Sequence, residues 1–208
     1  VSPRTRMIVL NSPSNPTGAC YSAAELGAFG EVLAAHPDLV VVADEIYECI
    51  HWAAEPFVSF AQACPDLYGR TVTVNGVSKA YAMTGWRLGY AAGPEALIQA
   101  MTTVQSQSTS NASSISQAAA VAALDGDQGP VADMVREYRK RHDYVVAALN
   151  DIPGFQCRPV GHDIDPRRPD TYVRRSLPIR MLELHELLEQ ADVVSMHVDL
   201  NPTSHHLI

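Results

Sequence analysis

The chain has 208 residues, 47% hydrophobic and 18% charged, an ordinary composition for a water-soluble globular protein with a real core. A formal charge of −8, with no basic stripe, argues against a nucleic-acid backbone binder, and no apolar run approaches a membrane-spanning length. The four cysteines are scattered without a CxxC pair, no secretory h-region opens the chain, and the eight histidines lack metal-ligand spacing, so a cytoplasmic protein without a metal site is expected.

Met7-Ile8-Val9-Leu10 reads as a strand that stops at the turn Asn11-Ser12-Pro13-Ser14-Asn15-Pro16-Thr17-Gly18. Ser22 with Glu25 makes a capping box for a helix running to about His36, where Pro37-Asp38 breaks it. Leu39-Val40-Val41-Val42-Ala43 is a continuous apolar run, the pattern of a strand buried on both faces, and it ends at Asp44-Glu45-Ile46-Tyr47. Residues 71–74 form the next strand, ending just before Lys79, and residues 87–92 another. Helices are expected over residues 95–104, 116–124 and 131–149, with a polar loop at 106–114. The run Arg136-Glu137-Tyr138-Arg139-Lys140-Arg141 reads as a solvated helix face. Strands alternating with helices predict an α/β fold with a mostly parallel sheet. Asn15, Asp44 and Lys79 each follow the C-terminal end of a predicted strand, the edge where open α/β sheets bind ligands.

Lys79 is one of two lysines among fifteen lysine and arginine residues. Arginine stays protonated at usable pH, whereas a lysine of lowered pKa forms Schiff bases. Lys79, at a Gly/Ser turn after a β-rich run and with Arg87 eight residues on, reads as a covalent anchor for an aldehyde cofactor. A phosphorylated pyridine aldehyde needs an amine, an anion at the ring nitrogen, donors at the phenolate oxygen and a cation for the phosphate. Lys79 supplies the amine, and Asp44 is placed to be a buried anion at the ring nitrogen. Tyr47 and Asn15 are candidate donors to the phenolate oxygen, and Ser78 and Arg87 candidate phosphate ligands. Taken singly, Asp44 also reads as a helix N-cap, Tyr47 as a packed aromatic, Asn15-Pro16 as a turn and Arg87 as a surface ion pair; it is their joint order that favours chemistry.

Residues 1–159 resemble the large domain of the class I/II aminotransferases, which have the fold-type I pyridoxal-phosphate architecture. The resemblance lies in Asn15-Pro16-Thr17-Gly18, Asp44-Glu45-Ile46-Tyr47 and Ser78-Lys79 through Arg87-Leu88-Gly89-Tyr90. Met83-Thr84-Gly85-Trp86-Arg87 and Gln105-Ser106-Gln107-Ser108-Thr109-Ser110-Asn111 are similar to the bacterial aspartate aminotransferase branch. It implies pyridoxal 5'-phosphate as cofactor, with Lys79 as Schiff-base lysine and base for the proton shift. Asp44 would meet the pyridine nitrogen, Tyr47 and Asn15 the phenolate oxygen, and Ser78 and Arg87 the phosphate. It further implies a cis Asn15-Pro16 bond and a homodimer in which the 106–111 loop reaches the partner's site. The implied reaction is transamination between an amino acid, an aspartate-like donor favoured, and a 2-oxo acid. A lyase or decarboxylase of the same fold is the alternative.

Against the family pattern, the upstream phosphate loop, the aromatic that stacks on the cofactor and the small C-terminal domain are expected to be missing. A catalytically inactive truncated or chimeric fragment is therefore a third reading. Residues 160–208 resemble part of the NAD-binding domain of the D-isomer-specific 2-hydroxyacid dehydrogenases, with Asp163 or Asp165 implied on the adenosine ribose. No GxGxxG precedes Asp163, so neither NAD binding nor dehydrogenase activity is expected. The expected organisation is a large-domain fragment, 1–159, joined to an unrelated Rossmann-like segment, 160–208.

Overall fold

The computed structural model describes residues 1–2 and 4–154. The readings for residues 160–208, including Asp163 and Asp165, lie outside the described residues.

Four strands form one mixed sheet in the order β1-β2-β3-β4, with β1 at Met7–Asn11, β2 at Val40–Asp44, β3 at Thr71–Gly76 and β4 at Gly89–Ala92. β1, β2 and β3 are parallel, and β4 turns back antiparallel to β3. The first crossover is helix α1, Ala23–Ala34; the second carries a short helix α2, Phe60–Ala63, and a 3₁₀ segment, Pro65–Arg70. Helices α3 (Glu95–Ser106), α4 (Ser114–Asp125) and α5 (Gly129–Asn150) follow β4. The α/β class and the mostly parallel sheet are as the sequence implies. α2 and the 3₁₀ segment carry no sequence signal, being too short to show a period.

α1 starts where its capping box predicts. Ser22 N–H donates to Glu25 Oε2 at 2.8 Å, and Glu25 N–H donates to Ser22 Oγ at 3.3 Å. Its buried residues Leu26, Gly30 and Leu33 fall on one helical stripe and face the sheet. Gly30 allows α1 to approach α2, because a Cβ there would sit 2.6 Å from Cys64 Sγ. Beyond its C-terminal end the chain is braced by Arg70, whose guanidinium donates to the carbonyls of Leu33, His36 and Leu39 at 2.7, 2.6 and 2.8 Å.

Strand alternation decides which face each residue serves. Val41 and Ala43 of β2, paired with Ile8 and Leu10 of β1, point to the α1/α2 side and join Leu26, Leu33, Phe60 and Leu67 in the core. Each fully buried Leu or Val contributes about 1.5–3 kcal/mol. The opposite face is more open: Met7 and Val9 are exposed, and Val40, Val42 and Asp44 are half-buried. β2 is thus not buried on both faces, as its apolar run suggests. No residue of α3 or α5 is buried, and α4 buries only Ser116 and Ala120. The Arg136–Arg141 run lies solvated along α5, where Arg136 pairs with Asp133 and Lys140 with Glu137, each one helical turn apart.

The β4 boundary differs from the sequence reading for a backbone reason. Arg87 adopts φ 51°, ψ 50°, a left-handed conformation that cannot continue a strand, so β4 begins only at Gly89. Gly76 and Gly89 then pair across the sheet, where a Cβ on Gly76 would lie 3.1 Å from Gly89 Cα.

Candidate active site

β1, β2 and β3 deliver their C-terminal ends to one edge of the sheet. Asn11 of β1 pairs with Asp44 of β2, and Asp44 pairs with Val74 of β3. Beyond these three ends lie the 12–19 turn, the 45–50 turn and the loop carrying Ser78 and Lys79.

The 12–19 turn is held by its own polar groups. Asn15 N–H donates to Asn11 Oδ1 at 3.0 Å, and the Asn15-Pro16 bond is cis, as the resemblance implies; Ser12-Pro13 is cis as well. This presents the exposed Asn15 amide toward the 45–50 turn, with Nδ2 3.5 Å from Tyr47 Oη. Lys79 Nζ lies over the Tyr47 ring, 5.8 Å from its centroid. Residues separated by up to 64 positions therefore meet around one phenol (79 − 15 = 64).

Asp44 occupies the last position of β2, and its Oδ1 accepts from Ile46 N–H at 3.2 Å. That is an Asx turn, so the helix-cap alternative does not apply; no helix follows. Asp44 is half-buried rather than buried, because the face it shares with Val42 is the open one. Ser78 is half-buried beside Lys79. Arg87 is exposed, donates from Nη1 to the Thr84 carbonyl at 3.1 Å, and makes no ion pair among the described residues. The structure thus joins Asn15, Tyr47 and Lys79 by contact and sets Asp44 and Ser78 on the same segments. It gives Arg87 no contact to any of them.

The deeply buried acid is Glu45, 4% exposed, which sequence reasoning passed over. It continues the Val41/Ala43 alternation onto the α1/α2 side, a signal readable in the sequence. Glu45 Oε1 accepts from Ser59 Oγ at 2.8 Å and from Phe60 N–H at 2.9 Å. Burial pushes its carboxyl above the usual range; these two bonds oppose the rise, and the Glu48 and Asp44 charges add to it. Asn75, Glu48, Tyr81 and Tyr90 were missed as well. Asn75 is buried and donates from Nδ2 to Glu48 Oε1 at 2.6 Å. Burial also raises the Tyr90 hydroxyl, with Glu48 contributing next, and raises Tyr81, with Cys49 and then Glu48 contributing.

A cavity of about 500 Å³ opens beside the edge, between the 13–18 turn, residues 50–53 and the α5 residues His142, Val145 and Val146. Asn15 and Tyr47 line it, so it communicates with the residue cluster above.

These residues fit pyridoxal phosphate. An amine, a strand-end carboxylate that accepts from the Ile46 amide, and a paired amide and phenol stand on converging segments. An arginine with no acidic partner among the described residues lies eight positions beyond the amine.

Comparison with known proteins agrees. The family model for aminotransferase class I and II matches residues 1–164. The chain is 54% identical over 157 residues to an aspartate/prephenate aminotransferase of Nitrosomonas europaea, covering 76% of this chain and 40% of that protein. It is 55% identical over 158 residues to an aspartate aminotransferase of Rhizobium meliloti, covering 76% of this chain and 38% of the relative. The crystal structure of an aspartate aminotransferase from Rhizobium meliloti superposes with a TM-score of 0.75 at 54% identity, over 78% of this chain and 41% of that one. An aspartate aminotransferase from Thermus thermophilus with maleate superposes with a TM-score of 0.64 at 42% identity, over 72% of this chain and 39% of that one. The chain spans about two fifths of the length of the relatives it matches. With the fold, the strand-end motifs and these matches in agreement, the chain belongs to the class I and II aminotransferases.

Proposed function

We propose that this chain carries the cofactor-anchoring part of a pyridoxal-phosphate aminotransferase that exchanges an amino group between an aspartate-like donor and a 2-oxo acid. The observation that carries the reading is the meeting of Asn15 and Lys79 at Tyr47 on the C-terminal edge of the sheet. When bound, the cofactor supplies the electron sink. Lys79 would serve as its covalent anchor and as the base for the proton shift. Asp44 holds positive charge at the ring nitrogen. Tyr47 and Asn15 donate to the phenolate oxygen, Tyr47 from a hydroxyl already within 3.5 Å of the Asn15 amide. Ser78 and Arg87, which makes no ion pair among the described residues, would hold the phosphate.

An acidic donor is supported by the names of the relatives, aspartate and aspartate/prephenate aminotransferases, and by the maleate in the Thermus thermophilus structure. A homodimer, with the 106–111 loop reaching the partner's site, and a cytoplasmic setting belong to the same proposal. Among the described residues no helix is long and apolar enough to cross a membrane. The division at 159/160 is also proposed; the curated relatives align over 157 or 158 residues, 76% of the chain.

A second reading, cofactor binding without turnover, is favoured by the uncovered apolar surfaces of β1, α3 and α5. One experiment separates the two. Pyridoxal phosphate is added until its absorbance band saturates, then L-aspartate is added in excess. Conversion of the band to that of the aminated cofactor supports transamination. A saturated band unchanged by L-aspartate supports binding alone, and no band at all counts against both.

A further inference from the structure

We propose that Glu48 and Asn75 form a clasp that fixes the Tyr47-bearing turn against the end of β3, from which the Lys79-bearing loop leaves, making both of them positioning residues of the site. The inference rests on the reading of Tyr47 and Lys79 given above. Tyr47 lies three residues beyond the end of β2, and Lys79 three beyond the end of β3. The ladder between those strands ends at the Asp44–Val74 pair, with Glu45 N–H donating to the Val74 carbonyl at 2.9 Å. Past that rung no backbone pairing holds the two segments together. Their relative position then depends on side chains.

The 45–50 turn is a locally closed body. Glu48 N–H bonds to the Glu45 carbonyl at 2.9 Å and Ile50 N–H to the Tyr47 carbonyl at 2.8 Å. A body of that kind moves as a unit about its attachment, so an outside tether near its middle restrains Tyr47 in addition to the bonds at Glu45 and at the Tyr47 hydroxyl. Among the described residues, the side-chain hydrogen bond that spans the gap is Asn75 Nδ2 to Glu48 Oε1, 2.6 Å. It is directed as well as short. Asn75 Oδ1 is occupied by Gly76 N–H at 2.7 Å, so the amide is oriented with its donor toward Glu48. Asn75 is buried, where a bond to an ionised acceptor is stronger than in water.

The clasp lies behind the site. By strand alternation Asn75 shares its face with Thr71 and Thr73, beside Ala43 and the α1/α2 core, whereas Asp44 points to the opposite face. Neither Glu48 nor Asn75 therefore belongs among the proposed cofactor contacts; they act through Tyr47 and Lys79.

The test uses Asn75→Ala, Glu48→Ala, the double variant and Glu48→Gln, which retains the acceptor oxygen. Amide hydrogen exchange is measured over residues 45–50 and 76–82 without cofactor, and pyridoxal-phosphate affinity is measured by absorbance. Each alanine variant is expected to speed exchange in both segments by about tenfold, with the double variant little worse than either single. Glu48→Gln should restore both readouts to within about threefold of wild type. Pyridoxal-phosphate affinity should fall in step with exchange. Faster exchange confined to the substituted segment, additive effects in the double variant, or unchanged affinity with both segments loosened would each overturn the clasp. If the wild-type chain forms no adduct at Lys79, the functional reading fails, while the exchange measurement still decides whether Glu48 and Asn75 couple the two segments.

Discussion

Glu45 offers a sharp test of how the site is held. Its Oε1 accepts two bonds, from the Ser59 hydroxyl and from the Phe60 amide at the start of α2, and Phe60 is itself part of the core. Bonds to an ionised acceptor contribute about 1.5–3 kcal/mol each, and the desolvation of the carboxylate offsets part of that. In Glu45→Ala the Ser59 hydroxyl can turn to water, but the buried Phe60 amide cannot. The expected loss is about 3 kcal/mol. In Glu45→Gln the amide oxygen takes the place of Oε1 and the expected loss at neutral pH is below about 1 kcal/mol. The pH dependence has a definite sign. Burial, helped by Glu48 and Asp44, raises the Glu45 carboxyl in the folded chain. A carboxyl of raised pKa binds its proton more tightly folded than unfolded. Its contribution is therefore full below the unfolded pKa and is lost as pH rises through the folded pKa. Wild type should lose stability relative to Glu45→Gln as pH rises from below the ordinary carboxylate range to above it. Urea unfolding followed by circular dichroism at both ends of that range measures it. An alanine variant within about 0.5 kcal/mol of wild type, or a wild-type-to-glutamine gap that does not change with pH, would refute the reasoning.

Two further predictions concern the scaffold. Arg70→Met keeps the apolar stem but removes three bonds to the carbonyls of Leu33, His36 and Leu39. Because Leu33 and His36 carbonyls retain backbone partners, the expected loss is about 2–3 kcal/mol, less than three independent bonds, read as a lowered urea midpoint. Gly30→Ala forces a methyl against Cys64 Sγ and should cost about 1–3 kcal/mol, most of it recovered in the Gly30→Ala/Cys64→Ala double variant; equal losses in both would exclude the steric cause.

The parts of the fold legible in the sequence were those with a strong local period. The Ser22–Glu25 capping box and the strands at 7–11, 40–44 and 71–76 all sit within one or two residues of their expected places. The Arg87 error arose because a run that looks β-rich hides a left-handed residue, which no periodicity reveals. The gathering of Asn15, Asp44, Tyr47 and Lys79 on one edge was legible because each lies at or beyond a strand end, and strand ends of a parallel sheet share an edge. Glu48 and Asn75 were not, because partners 27 positions apart meet only in the fold; the burial of Glu45 was readable from the strand alternation, but its bonds to Ser59 and Phe60 were not. Such bonds depend on tertiary packing. Asp44 was expected to be buried from the apolar run before it, but that run has one open face, and the buried carboxylate is its neighbour.

The central claim is that Lys79 is the covalent anchor. Its most direct test is borohydride reduction of the chain saturated with pyridoxal phosphate, followed by peptide mapping by mass spectrometry, with Lys79→Ala as control. The account predicts one stoichiometric adduct on Lys79 and none in the variant. An adduct spread between Lys79 and Lys140, or one that persists in Lys79→Ala, would contradict it.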